Sequence, residues 1–374
     1  MESLHWLEQN TIIMALSGSR AYGTSTPASD VDLMGIAVPP IEYSMGFHKR
    51  FEQADKPTHL EKFRKYLTPE LEATVNNSKM EGSIYELRKF FSLAADMNPN
   101  FIQLLYTDDS DIILLRPAGE ILRKNRDLFL SRAARDRFMG YAMSQLHRIK
   151  SHREDFINPV SKPSREEFGL KPETSIPTDQ LRAIQAQTQK QLDRWNEGSL
   201  GDLQESDKIR IRESIAQLLA ELEITADTRF KAACRGVGFE ENFIEYLAKE
   251  RSYKNAVDKW NQYQAWKSDR NKDRAELEIK YGYDTKHALH LVRLMTMCKE
   301  ILRDGRVLVK RPDAGMLLSI RHGEWSYEKL IDFAERSKAE VDDLMLKSPL
   351  PKYADKEKLD GLCIEIMGMY AKKT

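Results

Sequence analysis

Two aspartates separated by one residue, Asp30 and Asp32, follow a Gly18-Ser19 pair at short range. The stretch reads Gly18-Ser19-Arg20-Ala21-Tyr22-Gly23-Thr24, then Ser29-Asp30-Val31-Asp32. Alternate residues of a strand project to the same face, so the two carboxylates point together. Carboxylates held side by side repel, and a cation relieves that cost. A hard divalent ion suits oxygen ligands, and magnesium (or manganese) keeps part of its shell for water and substrate phosphates. The Gly18-Ser19 corner offers backbone N–H groups and a hydroxyl to a phosphate at close range. A phosphate cradle beside paired carboxylates is the equipment of two-metal phosphoryl transfer. Either half alone is commonplace, a lone Asp-x-Asp being most often a solvated turn. Their joint spacing between two apolar runs carries the reading.

Those apolar runs are the elements that must position the acids. Residues 11–17 (TIIMALS) are rich in β-branched types and stop at Gly18, which reads as a buried strand. Val31 to Val38 reads as a second strand, closed by Pro39 and Pro40. Residues 41–80 are polar and read as irregular, and Met80 to Ile84 reads as a third strand. From Tyr85 the period lengthens, with Leu87, Phe90, Phe91, Leu93 and Ala94 on one helical face until Asn98-Pro99-Asn100 stops it. A short helix (FIQLLY) and an extended run from Ile112 to Leu115 follow.

The remainder reads as largely helical. The expected fold class is α+β: a small mixed β-sheet head with flanking helices, followed by a largely all-α C-terminal region. The expected boundaries are a head over 1–153, a proline-rich linker or loop over 154–180, a helical insertion over 181–280, and a C-terminal helical domain over 281–374 facing the active-site cleft.

The chain has 374 residues, 41% hydrophobic and 31% charged, a composition that suits a folded, soluble protein. No apolar run approaches the roughly 18 residues a bilayer span needs. The opening MESLHWLEQN has neither a basic leader nor an apolar core, so no secretory signal and a cytoplasmic location are expected. Cys234, Cys298 and Cys363 are far apart and fit no disulfide or zinc spacing. With 58 basic and 58 acidic residues the formal charge is zero, which argues against a nonspecific polycation but leaves room for local RNA-binding patches.

The string GSRAYGTSTPASDVDLMGI resembles the GS…DxD signature of the DNA polymerase beta-like nucleotidyltransferase superfamily. Within it, the chain resembles a bacterial and phage family of nucleotidyltransferases, some of which accompany RNA-repair genes. Tyr85-Glu86-Leu87-Arg88-Lys89-Phe90 with Asn98-Pro99-Asn100, residues 138–149 (FMGYAMSQLHRI) and blocks within 281–327 resemble the family as well. The resemblance implies that Gly18 and Ser19, with Arg20, bind the triphosphate of an NTP, ATP above all, and that Asp30 and Asp32 hold the metals. It also implies a third carboxylate on a neighbouring strand, a metal ligand and base toward the attacking hydroxyl. Glu81 is taken for it, with Glu86 as the alternative, whose helical position suits a surface carboxylate.

A second constellation is Asp284, Lys286, His287, His290 and Arg293. His287 and His290 share a helical face, as do Lys286, His290 and Arg293. Residues 281–323 hold eight Lys/Arg against four Asp/Glu. An anion grip by Lys286, His287 and Arg293 on the nucleotide and a structural helix are both open readings. Arg132, Arg135, Arg137, Arg148, Lys150 and Arg153 read as the solvated face of helices before an RNA-binding surface. Trp260, Tyr263 and Trp266 read as helix packing before a base-stacking platform.

The expected activity is magnesium-dependent transfer of a nucleoside monophosphate from an NTP to an acceptor hydroxyl, most directly on RNA or tRNA, with release of pyrophosphate. The alternatives are nucleotidylylation of a protein (including a toxin-neutralising module acting on its partner) or of a small molecule, or a catalytically silent binding protein.

Overall fold

A computed structural model describes residues 4–27, 29–174, 176–197, 226–268, 278 and 280–371. The side chain of Trp266, and much of the expected insertion over 181–280, lie outside the described residues. The chain divides into two compact units, one of residues 1–156 with 272–374, the other of residues 157–271.

The first unit is built on β1 (Thr11–Leu16), a single helical turn α1 (Gly18–Ala21), β2 (Val31–Ala37), β3 (Gln53–Ala54) and β4 (Met80–Glu86). Helices α2 (Leu87–Ala95) and α3 (Pro99–Tyr106) follow, then β5 (Ile112–Leu115), α4 (Pro117–Lys124) and α5 (Ala134–Ile157). The strands form a mixed sheet in the order β3-β4-β2-β1-β5, in which β2 and β4 are parallel and the other pairs antiparallel. Interior strand β1 is buried at all six residues. Its unbroken apolar run is what two covered faces demand. Ile12, Ile13 and Ala15 join the larger core with the helices, whereas Met14 and Leu16 join a smaller core around Trp6, Phe51 and Phe63.

The stretch 41–80, expected to be irregular, instead carries helical segments Ile41–Ser44, Pro57–Leu60 and Pro69–Asn77 as well as β3. Tyr43, Phe51, Leu60 and Phe63 close the smaller core, so a few scattered apolar residues fix this otherwise polar stretch. Local signals set the helix starts. The Glu86 carboxylate accepts the Lys89 amide at 2.8 Å and caps α2, and Asn98 accepts the Asn100 amide at 3.2 Å before Pro99 opens α3.

The second unit contains α6 (Thr178–Glu197), α7 (Ala226–Val237) and α8 (Glu241–Ser268). Phe230, Cys234, Ile244 and Leu247 form its own small core, and a part-buried Arg165–Glu250 pair ties its first loop to α8. Tyr263 and Trp260 lie on α8, and Lys162 stands 5.6 Å from the Trp260 ring centre.

The chain returns to the first unit with α9 (Thr285–Asp304), α10 (Ala314–Arg321), α11 (Tyr327–Lys347) and α12 (Lys356–Ala371). Helix α9 packs against α10 and α11 and is buried along most of its length, with its start capped by Asp284. No helix among the described residues is long and apolar enough to cross a membrane.

Candidate active site

Strand β1 delivers the chain to a tight corner beside β2. The Ser17 amide donates to the Asp32 carbonyl at 2.8 Å, which fastens the end of β1 to the start of β2. Gly18 then takes a left-handed backbone with φ +61. A Cβ there would stand 2.1 Å from Asp32 Oδ2, so only glycine lets the carboxylate lie against the turn. The first amides of a helical turn have no acceptor within it, and Gly18, Ser19 and Arg20 begin this one. The Arg20 guanidinium donates from Nε to the Asp30 carbonyl at 3.1 Å and from its terminal nitrogen to the Ser29 carbonyl at 2.9 Å. It thus staples the turn to the loop that carries the acids. Asp30 Oδ1 also accepts the Lys79 amide at 3.3 Å.

The parallel pairing of β2 with β4 sets Asp32 opposite Glu81. Met34 and Ile36 belong to the larger core and Tyr85 packs against it, so Asp32 and Glu81 share the helix-covered face by alternation. Asp30 is exposed, Asp32 half-buried and Glu81 exposed. Burial, then the charge of Asp30, push the Asp32 carboxyl above the ordinary carboxylate range. Lys286 at the start of α9 pulls it down, Glu81 pushes it up, and Arg20 pulls it down. Four charged groups from three separate stretches of chain therefore surround one carboxylate.

Beside Asp32 opens a cavity of about 250 Å³, lined by Gly18, Tyr22, Ser83, Tyr85, Gln103 and Val309 among others. The Tyr22 hydroxyl donates to Gln103 Oε1 at 2.6 Å, and the Arg311 amide donates to the Tyr22 carbonyl at 3.1 Å. The Arg293 guanidinium lies 3.8 Å from the Tyr22 ring centre, a cation–π contact. Arg293 is 4% exposed, and burial pushes its ionisation down. Among the described residues its Nε finds no hydrogen-bond partner, and a terminal nitrogen donates to the Met297 sulfur at 3.4 Å. Neighbouring Arg311, by contrast, is matched by Glu300 and Asp313.

The residues singled out in the sequence thus separate into groups. Gly18, Ser19, Arg20, Asp30, Asp32, Glu81 and Lys286 gather at one corner. Glu86 sits at the far end of β4, 4% exposed, where it caps α2 and pairs with Arg88 at 2.9 Å. His287 Nδ1 bonds Gln145 Oε1 at 2.7 Å and its ring faces Asp284, while Arg293 lies beneath Tyr22. In the arginine-rich stretch, Arg135 pairs with Asp342 and Asp136, Arg137 with Asp96, and Arg153 donates to the Gly282 carbonyl. Tyr22 and Gln103 were missed in the sequence. A single glutamine in the apolar run FIQLLY was the available signal, since a buried amide needs a polar partner.

The N-terminal part of the chain is similar in sequence to one class, the polymerase beta-like nucleotidyltransferases. Residues 1–158 match the model of one of its families, described as the RNA repair pathway DNA polymerase beta family, RlaP. A relative is the uncharacterized 38.9 kDa protein in the nrdC-mobD intergenic region of Enterobacteria phage T4, 29% identical over 159 residues. The aligned segment covers 41% of this chain and 43% of that protein, less than half of either. No solved structure matches the chain.

Proposed function

We propose that this protein transfers a nucleoside monophosphate from an NTP, ATP in the first instance, to an acceptor hydroxyl on RNA or tRNA, with release of pyrophosphate. The observation that carries the proposal is the pairing of Asp32 with Glu81 on adjoining parallel strands, with Asp30 two residues away and Gly18 pressed against the carboxylate. The RNA acceptor is supported by the match of residues 1–158 to a family of an RNA repair pathway.

The donor set fits a hard divalent cation. The charges of Asp30 and Glu81 act on Asp32, which resists ionisation because of burial and these acidic neighbours, a condition that a bound cation relieves. Asp30, Asp32 and Glu81 would hold magnesium or manganese, which when bound neutralises phosphate charge and activates the attacking oxygen. In this reading the amides of Gly18 and Ser19 hold the triphosphate, and Arg20 keeps the acid-bearing loop in register with them. Lys286 faces the same corner and offsets phosphate charge, while Glu81 accepts the proton of the attacking hydroxyl. Tyr22, braced by Gln103 and Arg293, forms a firm wall of the cavity. His287 and Arg293 have other partners and are assigned no direct hold on the nucleotide.

The test is incubation with each labelled NTP, magnesium and cellular RNA. The wild type is expected to label RNA, and the Asp30→Ala, Asp32→Ala protein is expected to be inert while keeping its fold. Near-normal labelling by that double variant would remove these acids from the reaction.

A further inference from the structure

A second cluster of metal-type ligands lies outside the carboxylate corner. His152 on α5, Asp284 at the cap of α9 and His287 in the first turn of α9 each offer a ligand atom, all within 4.8 Å of one another. Sequence spacing alone did not show it, because His152 and His287 are far apart in the chain and the His287-x-x-His290 pair draws attention instead. The His152 and His287 rings stand 5.9 Å apart, centre to centre, at an angle of 60°.

The hydrogen bonding around His287 favours a metal ligand. Its Nδ1 bonds Gln145 Oε1 at 2.7 Å, and a carbonyl oxygen can only accept, so Nδ1 carries the proton. In the neutral ring Nε2 then keeps a lone pair, and it faces Asp284 Oδ2 at 3.6 Å. Two acceptors facing one another call for a proton or a cation between them. Fixing an imidazole tautomer through its other nitrogen is the usual outer support of a metal-bound histidine. Asp284 divides its oxygens in a compatible way, since Oδ1 accepts the His287 amide at 2.9 Å and Oδ2 is the one turned to the ring. Metal bonds of about 2.0–2.1 Å in a tetrahedral shell set ligand atoms roughly 3.3 Å apart. The His287–Asp284 edge is already near that, and His152 closes the third corner by a shift on the order of an ångström.

We propose that His152, Asp284 and His287 bind one divalent transition metal of the zinc class, with Gln145 as the support of His287. Two imidazoles and one carboxylate suit zinc-class ions, whereas the all-oxygen set of Asp30, Asp32 and Glu81 suits magnesium. The ion clamps α5 to the first turn of α9. Its positive charge sits at a helix N-terminus, an unfavourable end for a cation, and the Asp284 carboxylate offsets this. The site stands whether or not the transferase reading is correct.

The full chain, stripped with a chelator, is titrated with zinc chloride by calorimetry and with cobalt chloride by visible absorption. One equivalent is expected to bind, with a cobalt spectrum of low coordination number and a rise in thermal midpoint. Binding is expected to survive in the Asp30→Ala, Asp32→Ala protein and to be lost in His152→Ala and His287→Ala. Gln145→Leu is expected to weaken it about 10- to 100-fold. His152→Gln, which keeps the shape of a half-buried helical residue, covers the case in which an alanine variant fails to fold. Absence of stoichiometric binding overturns the proposal, as does binding that persists in His152→Gln or disappears with Asp30 and Asp32.

Discussion

Adding one methyl group at Gly18 is the sharpest perturbation the carboxylate corner allows. Two separate penalties arise. A non-glycine residue at φ +61 costs about 1–2 kcal/mol. The new Cβ would also stand 2.1 Å from Asp32 Oδ2, and opening that contact to an ordinary separation moves the carboxylate by roughly 1 Å. Forcing a packed side chain aside in this way costs a further 1–3 kcal/mol or so. The sum for Gly18→Ala is on the order of 3 kcal/mol, and for a unit of this size each kcal/mol lowers the midpoint by about 2–4 °C. A misplacement of about 1 Å in a catalytic group costs on the order of 100-fold in rate. The decisive version is a double-mutant cycle with Asp32→Ala, read by thermal midpoint. With the carboxylate gone the backbone penalty and a milder 3.2 Å approach to the residue 32 Cβ remain, so Gly18→Ala is expected to cost about 1–3 kcal/mol less in that background. Equal costs in both backgrounds would show that Gly18 and Asp32 do not touch, and the geometry built on their contact would fall.

Three further outcomes are expected. The Asp32 carboxyl titrates above its usual value of 3.8 in the fold, so the native state holds that proton longer than the unfolded chain and stability falls as pH rises through the window just above 3.8. Asp32→Asn is therefore expected to raise the midpoint at neutral pH and to flatten its pH profile over that window; a lower midpoint would contradict the repulsion. Glu81→Gln is expected to leave the midpoint near the wild type and to abolish magnesium-dependent binding of ATP, whereas Glu86→Gln costs about 1 kcal/mol through the α2 cap and leaves binding in place. The reverse pattern in calorimetry would transfer the third acid to Glu86. Lys286→Ala, at an exposed position, is expected to weaken ATP binding several-fold at low salt with no change in midpoint. Arg293→Ala is expected to act first on stability, by opening a cavity under Tyr22; a changed midpoint in the former and an unchanged one in the latter would exchange their roles.

The contrast between what the sequence did and did not reveal has a physical basis. Strands β1 and β2 were legible because both faces of β1 are covered and its apolar run is unbroken, while turn chemistry marked their ends. The Asp30–Asp32 pair was legible because alternation on a strand follows from covalent geometry alone. The neighbour of Asp32 was harder, since parallel pairing joins strands through a long connection and nothing local sets its register. Residues 41–80 read as irregular because their few apolar residues reach a small second core formed with Trp6 and β1, a contact no periodicity announces. His152 with His287, and Tyr22 with Arg293, are meetings of distant segments of the same kind.

Apart from Arg20, the acids and the cations of the corner come from different parts of the chain, and that division has an electrostatic consequence. Gly18, Ser19, Asp30, Asp32 and Glu81 all lie in the segment matched over residues 1–158, which also holds Arg20. Arg20 is held by the Ser29 and Asp30 carbonyls, so its geometry is fixed by the loop it staples. Lys286 and Arg293 come from α9, outside that segment. A triphosphate approaching three carboxylates meets repulsion that magnesium offsets only in part, and added positive charge must come from elsewhere. In the proposed reading Lys286 supplies it at the surface, where solvent screens it. In the same reading Arg293 adds to it from below, behind Tyr22, where the low-dielectric surroundings let a charge act at longer range. A buried guanidinium whose Nε finds no hydrogen-bond partner among the described residues is costly in isolation, and an anion held in the cavity above Tyr22 would offset that cost. In the proposed reading, α9 is therefore part of the nucleotide site by charge, even where its side chains do not touch the nucleotide.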